Sequence, residues 1–144
     1  MPGSAPEITL HASCVALDGR ALLIVGKSGS GKSALALSLM AMGADLVADD
    51  RTILRRDQSQ VIAYAPDAIK GLIEARCVGL LQATPCALAQ VVAIVDLDRT
   101  ETQRLPTLRK SDLLGQSVTL FLKVEGAHFA SALIQFLKAG RRSP

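Results

Sequence analysis

One eight-residue stretch, Gly26-Lys27-Ser28-Gly29-Ser30-Gly31-Lys32-Ser33, limits what this chain can fold into more than any other. It has the spacing G-x-x-x-x-G-K-[ST]. An apolar run, Ala21-Leu22-Leu23-Ile24-Val25, leads into it, and a helical pattern over residues 34–40 leads out. Strand, glycine-rich loop and helix in that order are the setting in which this motif cradles a phosphate chain. Glycines at 26, 29 and 31 permit backbone conformations barred to residues with a Cβ, so successive N–H groups can converge on one anion. A helix beginning near Gly31 adds its unpaired amides and the positive end of its dipole. Lys32 supplies a mobile charge for the outer phosphates, and the Ser33 hydroxyl suits Mg²⁺. A glycine-rich turn without a ligand is the competing reading, set aside on the full motif and its flanks. A nucleoside triphosphate or a related phosphate compound is the expected ligand.

At 144 residues the chain reads as one domain. Residues 1–6 form an expected flexible tail, 7–139 the domain and 140–144 a basic tail. A hydrophobic fraction of 49% argues for a well-buried α/β layer structure over disorder. With no Trp, one Tyr and three Phe, the core falls to Leu, Val, Ile and Ala. The formal charge of +3 owes much to Lys138, Arg141 and Arg142, and the stacking aromatics of single-strand binders are missing, so nucleic acid is not an expected partner. Cys14, Cys77 and Cys86 fit no C-x-x-C spacing and read as small buried hydrophobes in a reducing compartment. Neither a span-length apolar run nor a signal-peptide pattern occurs, and the expectation is a cytoplasmic protein without a membrane partner.

Residues 8–10 and 14–17 read as short strands, and Asp18-Gly19 as a hairpin turn that pairs residues 15–17 antiparallel with 21–25. That departs from a simple parallel Rossmann-like order. The helix after the loop should end near Gly43. Residues 44–50 form a short strand running into Asp49 and Asp50. Residues 52–54 and 60–64 read as strands around a polar turn at 55–59, and 66–70 as a connector. Residues 71–81 hold a lone carboxylate, Glu74, among apolar neighbours. Residues 90–97 are the clearest remaining buried strand, and 99–110 a charged surface segment. Residues 118–124 form another strand. A closing helix spans 128–139 with Phe129, Leu133, Phe136 and Leu137 on one face.

Phosphoryl transfer needs a phosphate cradle, a metal and a group that handles the nucleophile's proton. Two strand ends offer carboxylates: Asp49-Asp50, and Asp96 with Asp98. The pattern alone does not choose between them, and solvated acids at a strand terminus are common. Adjacent aspartates near one metal repel, which would suit one of them to act as a base.

Residues 11–81 resemble the catalytic domain of HPr kinase/phosphorylase, which acts on a seryl hydroxyl of the phosphocarrier protein HPr. The matching pieces are His11 ahead of a hairpin, the loop at 26–33, Leu46-Val47-Ala48-Asp49-Asp50, and Gly71-Leu72-Ile73-Glu74-Ala75-Arg76. The resemblance implies an α/β fold, a P-loop-containing mixed sheet flanked by helices, like phosphoenolpyruvate carboxykinase. It implies ATP and Mg²⁺, with Lys32 and the loop amides on the donor phosphates, and Ser33, Glu74 and Asp49 about the metal. Asp50 matches the residue that takes the seryl proton, and His11 an active-site histidine. A family arginine falls within 99–109, with Arg104 the better alignment and Arg99 the second. An HPr-like phosphocarrier is the implied partner and a homo-oligomer, a hexamer in the family, the implied assembly. The family's long form has an extra N-terminal domain, so the chain is expected to be a short form. The long form also has a proline- and arginine-containing loop tied to the phosphorylase reaction, whereas residues 114–126 here contain neither residue type. The expectation is a protein-serine kinase with doubtful reverse activity. A small-molecule P-loop kinase and a nucleotide-binding regulatory module without turnover are the alternatives; no Asn-Lys-x-Asp motif supports a guanine-nucleotide switch.

Overall fold

The Asp18-Gly19 turn sets the first pairing of the sheet. In the computed structural model, which describes residues 6–142, both residues take positive φ, 51° and 78°, as a two-residue hairpin turn of matching twist requires. The chain runs β1 (Glu7–Leu10), β2 (Ala12–Leu17), β3 (Arg20–Val25), α1 (Lys32–Ala41), β4 (Asp45–Ala48), β5 (Thr52–Asp57) and β6 (Gln60–Tyr64). After a 3₁₀ turn at Asp67–Ile69 come β7 (Leu72–Ala75), β8 (Gly79–Gln82), β9 (Ala89–Thr100), β10 (Arg109–Leu113), β11 (Gln116–Lys123) and α2 (Phe129–Ala139).

The main sheet is mixed, in the order β1-β5-β6-β9-β3-β2-β4, with β11 on β9 and β10 on β11. β9 is parallel to both β3 and β11, and the other strand pairs are antiparallel. Side chains alternate across a strand, and β3 divides accordingly. Leu22 and Ile24 face α1 and α2 together with Val15, Leu46 and Val95. Ala21 and Leu23 join Cys14, Val47, Leu54, Ile94 and Leu120 in a second core that contains no helix residue. The fold is thus the expected α/β mixed sheet with helices. Both helices lie on one face, and the sheet covers the other by curling over its own strands. Burying β3 on both faces explains its unbroken apolar run.

α1 stops where expected: Met42 and Gly43 amides return to the carbonyls of Leu39 and Met40, and Gly43 takes φ 112°. α2 buries Leu133, Ile134 and Leu137, while the expected Phe129 and Phe136 are only half-buried. Phe136 packs edge-on against Phe121 at 4.9 Å between ring centres. Arg20 Nε donates to the Leu137 carbonyl at 3.0 Å, bringing a cation to the negative end of α2.

Three sequence expectations are corrected. The polar turn at 55–59 shrinks to Gln58-Ser59, because β5 continues through Arg55 and Arg56 to Asp57. Arg56 keeps its guanidinium occupied by donating to the Leu114 carbonyl at 3.0 Å, so its charge does not end the strand. The surface segment at 99–110 is bounded by strand at both ends, since β9 extends to Thr100 and β10 begins at Arg109. Of the three cysteines only Cys14 is buried, and burial pushes its thiol pKa up. Cys86 is half-buried and shifted the same way by the same cause, whereas Cys77 is exposed at the turn between β7 and β8 with φ 66°. No helix among the described residues is long and apolar enough to cross a membrane. The N-terminal residues 1–5 of the expected tail, and the last two of the basic tail, lie outside the described residues.

The loop between β9 and β10 is clipped by a two-pronged ion pair. Arg109 Nε and Nη2 donate to the Glu101 carboxylate at 2.8 and 3.0 Å. Those bonds, with amides of Gln103 and Thr102 adding to them, hold the Glu101 carboxyl down to about 2. A folded-state value below the ordinary carboxylate value of about 4.3 stabilises the fold above that pH, and the contribution is lost as pH falls through about 2. The urea-stability gap between wild type and Glu101→Gln is therefore expected to be widest near neutrality and to narrow steadily below about pH 4. A gap that stays constant down to pH 2 would show that shape, not charge, closes the loop.

Candidate active site

Sheet topology brings the chemistry-bearing stretches to one end of the sheet. β2 opposes β3 and β4 antiparallel, so the start of β2 lies beside the ends of both: Ala12 is opposite Val25, and Cys14 opposite Ala48. β9 runs parallel to β3 and places Asp96 beside Val25. His11, the loop at 26–33, the Asp49-Asp50 pair and Asp96 with Asp98 therefore converge.

In the loop, the first helical bond of α1 is Leu35 N–H to Gly31 O at 2.9 Å. The amides of Gly31, Lys32, Ser33 and Ala34 thus have no carbonyl one turn back to receive them. Gly31 takes φ 102° and Gly29 φ 83°, which suits the glycine requirement. Two other loop amides are used internally: Ser30 N–H donates to Lys27 O at 3.0 Å, and Lys27 N–H to both oxygens of Asp98 at 3.1 and 3.0 Å. Lys32 is 7% exposed, and its Nζ donates to the carbonyls of Gly26 and Lys27 at 2.9 and 3.1 Å. Ser30 Oγ is a buried polar atom without a partner. A Cβ at Gly26 would lie 2.5 Å from that oxygen.

Asp49, also 7% exposed, is held by donors from three elements. Ser13 Oγ–H in β2 and Ser33 Oγ–H in α1 donate to Oδ1 at 2.8 and 2.7 Å, and Glu74 N–H in β7 to Oδ2 at 3.1 Å. The next residue turns sharply. Arg51 N–H donates to Asp49 O at 2.7 Å, and Asp50 takes φ 68°, forming a γ-turn of the strained hand. Asp50 then points to His11, with Oδ1 2.5 Å from Nε2. Both side chains are exposed.

The cleft so formed has a volume of about 490 Å³ and is lined by His11, Ser28, Gly29, Gly31, Lys32, Ser33, Asp50, Glu74 and Arg76, among others. A second depression lies beside it, with Asp49, Asp50, Glu74, Val78 and Leu80 in its wall, and a third with His11, Asp50 and Arg51. Asp50 lines all three. The other candidate acids are committed elsewhere: Asp98 to the Lys27 amide, and Asp96 to the Asp98 amide at 2.9 Å and Arg99 Nε at 3.0 Å. Arg104 is exposed in the loop between β9 and β10 and is not part of the cleft lining. Two residues here had been given no role from sequence. Arg76 opens the turn after β7 and lines the cleft together with Glu74. Ser13 is a fully buried hydroxyl in an apolar strand, and such a group needs a partner.

The donor set fits a phosphate chain with Mg²⁺. Four unpaired amides and a lysine on the cleft wall suit an anion. The Ser33 hydroxyl and the Glu74 carboxylate are hard oxygen donors of the kind Mg²⁺ takes one or two of, alongside water and phosphate oxygens, and Asp49, expected about the metal, stands one hydrogen bond behind Ser33. Among the described residues no group of three or more His, Cys, Asp or Glu side chains is arranged to hold a metal.

Comparison with known proteins adds the family. The family model described as the HPr Serine kinase C-terminal domain matches residues 3–93. An HPr kinase/phosphorylase of Peptoclostridium acidaminophilum is 45% identical over 78 residues, covering 54% of this chain and 25% of its own length. One from Lactobacillus johnsonii is 36% identical over 109 residues, or 75% of this chain and 33% of its own length. The chain thus spans a third or less of these curated relatives. The Hpr(Ser) kinase/phosphatase structure from Coxiella burnetii superposes with a TM-score of 0.75 at 26% identity, covering 91% of this chain and 93% of that one.

Gly26→Ala tests the loop geometry directly. Its added Cβ meets Ser30 Oγ at 2.5 Å, closer than the loop can accept without moving. Nucleotide affinity is expected to fall at least about tenfold, a change of about 1.4 kcal/mol, while far-UV circular dichroism stays that of the wild type. Undiminished affinity by calorimetry would mean that Gly26 is not needed for the phosphate cradle.

Proposed function

The chain belongs to the HPr serine kinase C-terminal domain family, and from that premise we propose that it is an ATP-dependent serine kinase whose substrate is an HPr-like phosphocarrier protein. The observation that carries the reading is Asp50, bonded to His11 and shared by the cleft over the P-loop and by the two depressions beside it. A nucleotide on the loop and a protein side chain entering through either depression would both come within reach of that residue.

Free amides at the start of α1 hold the donor phosphates, and Lys32 exchanges its carbonyl partners at Gly26 and Lys27 for phosphate oxygens. Mg²⁺, held through Ser33 and Glu74 oxygens, would neutralise charge on the transferring phosphoryl group. Asp50 accepts the proton of the seryl hydroxyl as its oxygen bonds to the γ-phosphorus and the bond to ADP breaks. His11 fixes the orientation of that carboxylate, and Arg76 adds a positive charge at the cleft wall. Asp49 holds the Ser33 hydroxyl in place through the 2.7 Å hydrogen bond.

Asp50→Asn should leave nucleotide binding near wild type and cut phosphorylation of the carrier by roughly 10²–10⁴, the range for loss of a positioned general base. Asp96→Asn should cost far less, since that carboxylate serves Asp98 and Arg99. Phosphate incorporation into carrier, followed by mass, distinguishes them. If Asp96→Asn abolishes transfer and Asp50→Asn spares it, the base lies at the other strand end. Nucleotide binding with no transfer to any carrier would favour the regulatory module.

The reverse reaction is expected to be weak. Dephosphorylation by inorganic phosphate brings two anions together, a task suited to the bidentate grip of arginine. Residues 114–126 hold no arginine. Their one cation, Lys123, lies 3.8 Å from Glu125, and the preceding Arg109 is committed to Glu101. Pyrophosphate release from phosphorylated carrier, Mg²⁺ and millimolar phosphate should run about 10²–10³ slower than the forward reaction. Comparable rates would overturn this.

A further inference from the structure

We infer that Ser13 is a positioning residue for this site, linking the cation-facing Ser33 and the proton-accepting Asp50 through one buried hydroxyl. The inference deepens the kinase reading and rests on it for what Ser33 and Asp50 face. Ser13 lies in β2, fully buried among apolar neighbours. Its Oγ–H donates to Asp49 Oδ1 at 2.8 Å, and its oxygen accepts the Asp50 amide at 3.3 Å. One side chain thus uses its donor on the first aspartate and an acceptor lone pair on the second.

Each bond has a separate consequence. Asp49 Oδ1 also receives Ser33 Oγ–H at 2.7 Å. An Asp49 carboxylate locked by Ser13 fixes the direction of the Ser33 hydroxyl proton, which leaves that oxygen's lone pairs for the cleft. Partners one step removed from a metal-facing ligand orient it in this way. On the other side, Asp50 occupies the strained γ-turn at φ 68°, and such conformations persist only where their surroundings over-determine them. Ser13 and the Arg51 N–H to Asp49 O bond are the backbone restraints on that turn. A hydroxyl whose only task was filling space would need neither alignment.

The test uses Ser13→Ala, with Ser13→Thr retaining the Oγ. Calorimetry with ATP is run in the presence of Mg²⁺ and again in chelator. Exchange of the Asp50 amide is followed by NMR in the nucleotide-free protein. For Ser13→Ala the affinity gained on adding Mg²⁺ should shrink by about 10- to 100-fold, metal-free affinity should stay within about twofold, and Asp50 amide protection should fall. Ser13→Thr should restore both. Equal losses with and without Mg²⁺, or unchanged protection of Asp50, would reduce Ser13 to a packing residue and overturn the inference. If Ser13→Ala does not fold, Ser13→Cys, similar in volume with a weaker donor, carries the same expectations. A wild type whose ATP binding Mg²⁺ does not strengthen would overturn the kinase reading instead, and the Asp50 exchange result still decides for or against Ser13.

Discussion

The carboxylate of Asp49 is where separate parts of the chain are tied into one site. An ionised group so far out of water is costly unless its oxygens receive donors. Here they come from β2, α1 and β7, elements far apart in sequence. Removing any one donor leaves the others arranged around an under-satisfied charge, which is more damaging than losing one ordinary hydrogen bond. The arrangement also explains why Asp50 can point outward. With Asp49 anchored inward, the γ-turn that follows throws the next side chain to the opposite side, toward His11 and open water.

The loop on the other side of the cleft is held by substitutes for an anion. Lys32 uses the carbonyls of Gly26 and Lys27, and Asp98 takes the Lys27 amide with both oxygens. The lysine is nearly buried while so engaged, and a buried ammonium needs such acceptors. An anion entering the loop would therefore compete with contacts already made. What remains unpaired, the four amides at the start of α1, is the part of the loop whose partner comes from outside. The resting loop is pre-shaped without being self-satisfied, which lowers the ordering cost of binding.

Much of this was legible in the sequence because it rests on local rules. The Asp18-Gly19 turn, the helix stop at Gly43 and the strand-loop-helix around Lys32-Ser33 each depend on a few neighbouring residues and their allowed dihedrals. β10 was not legible, since Arg109, Lys110 and Asp112 read as surface charge until Glu101 and β11 supply partners. Tertiary pairing overrode local polarity there. Cys77 misled for the opposite reason: it sits next to apolar residues, but the β7–β8 turn carries it and Val78 out of the core. Ser13 left one signal, a lone hydroxyl within an otherwise apolar strand, and its partner is 36 residues away. The fold follows from patterns a few residues long, whereas the polar network of the site follows from contacts that no local pattern contains.

The sequence offered carboxylates at two strand ends, and topology gives the two ends different surroundings. β9 is the parallel neighbour of β3, so Asp96 and Asp98 emerge on the same side as the P-loop and close against its first amide. They stabilise the loop from behind. β4 reaches the same end of the sheet from across β2, one strand further from β3, so the Asp49-Asp50 turn faces the loop with a gap between. That gap is the cleft, wide enough for a ligand where the Asp98 position is not. A base has to stand off from the phosphate cradle by the length of the reacting groups. The antiparallel insertion of β2 between β3 and β4, set by the Asp18-Gly19 turn, is what supplies that distance.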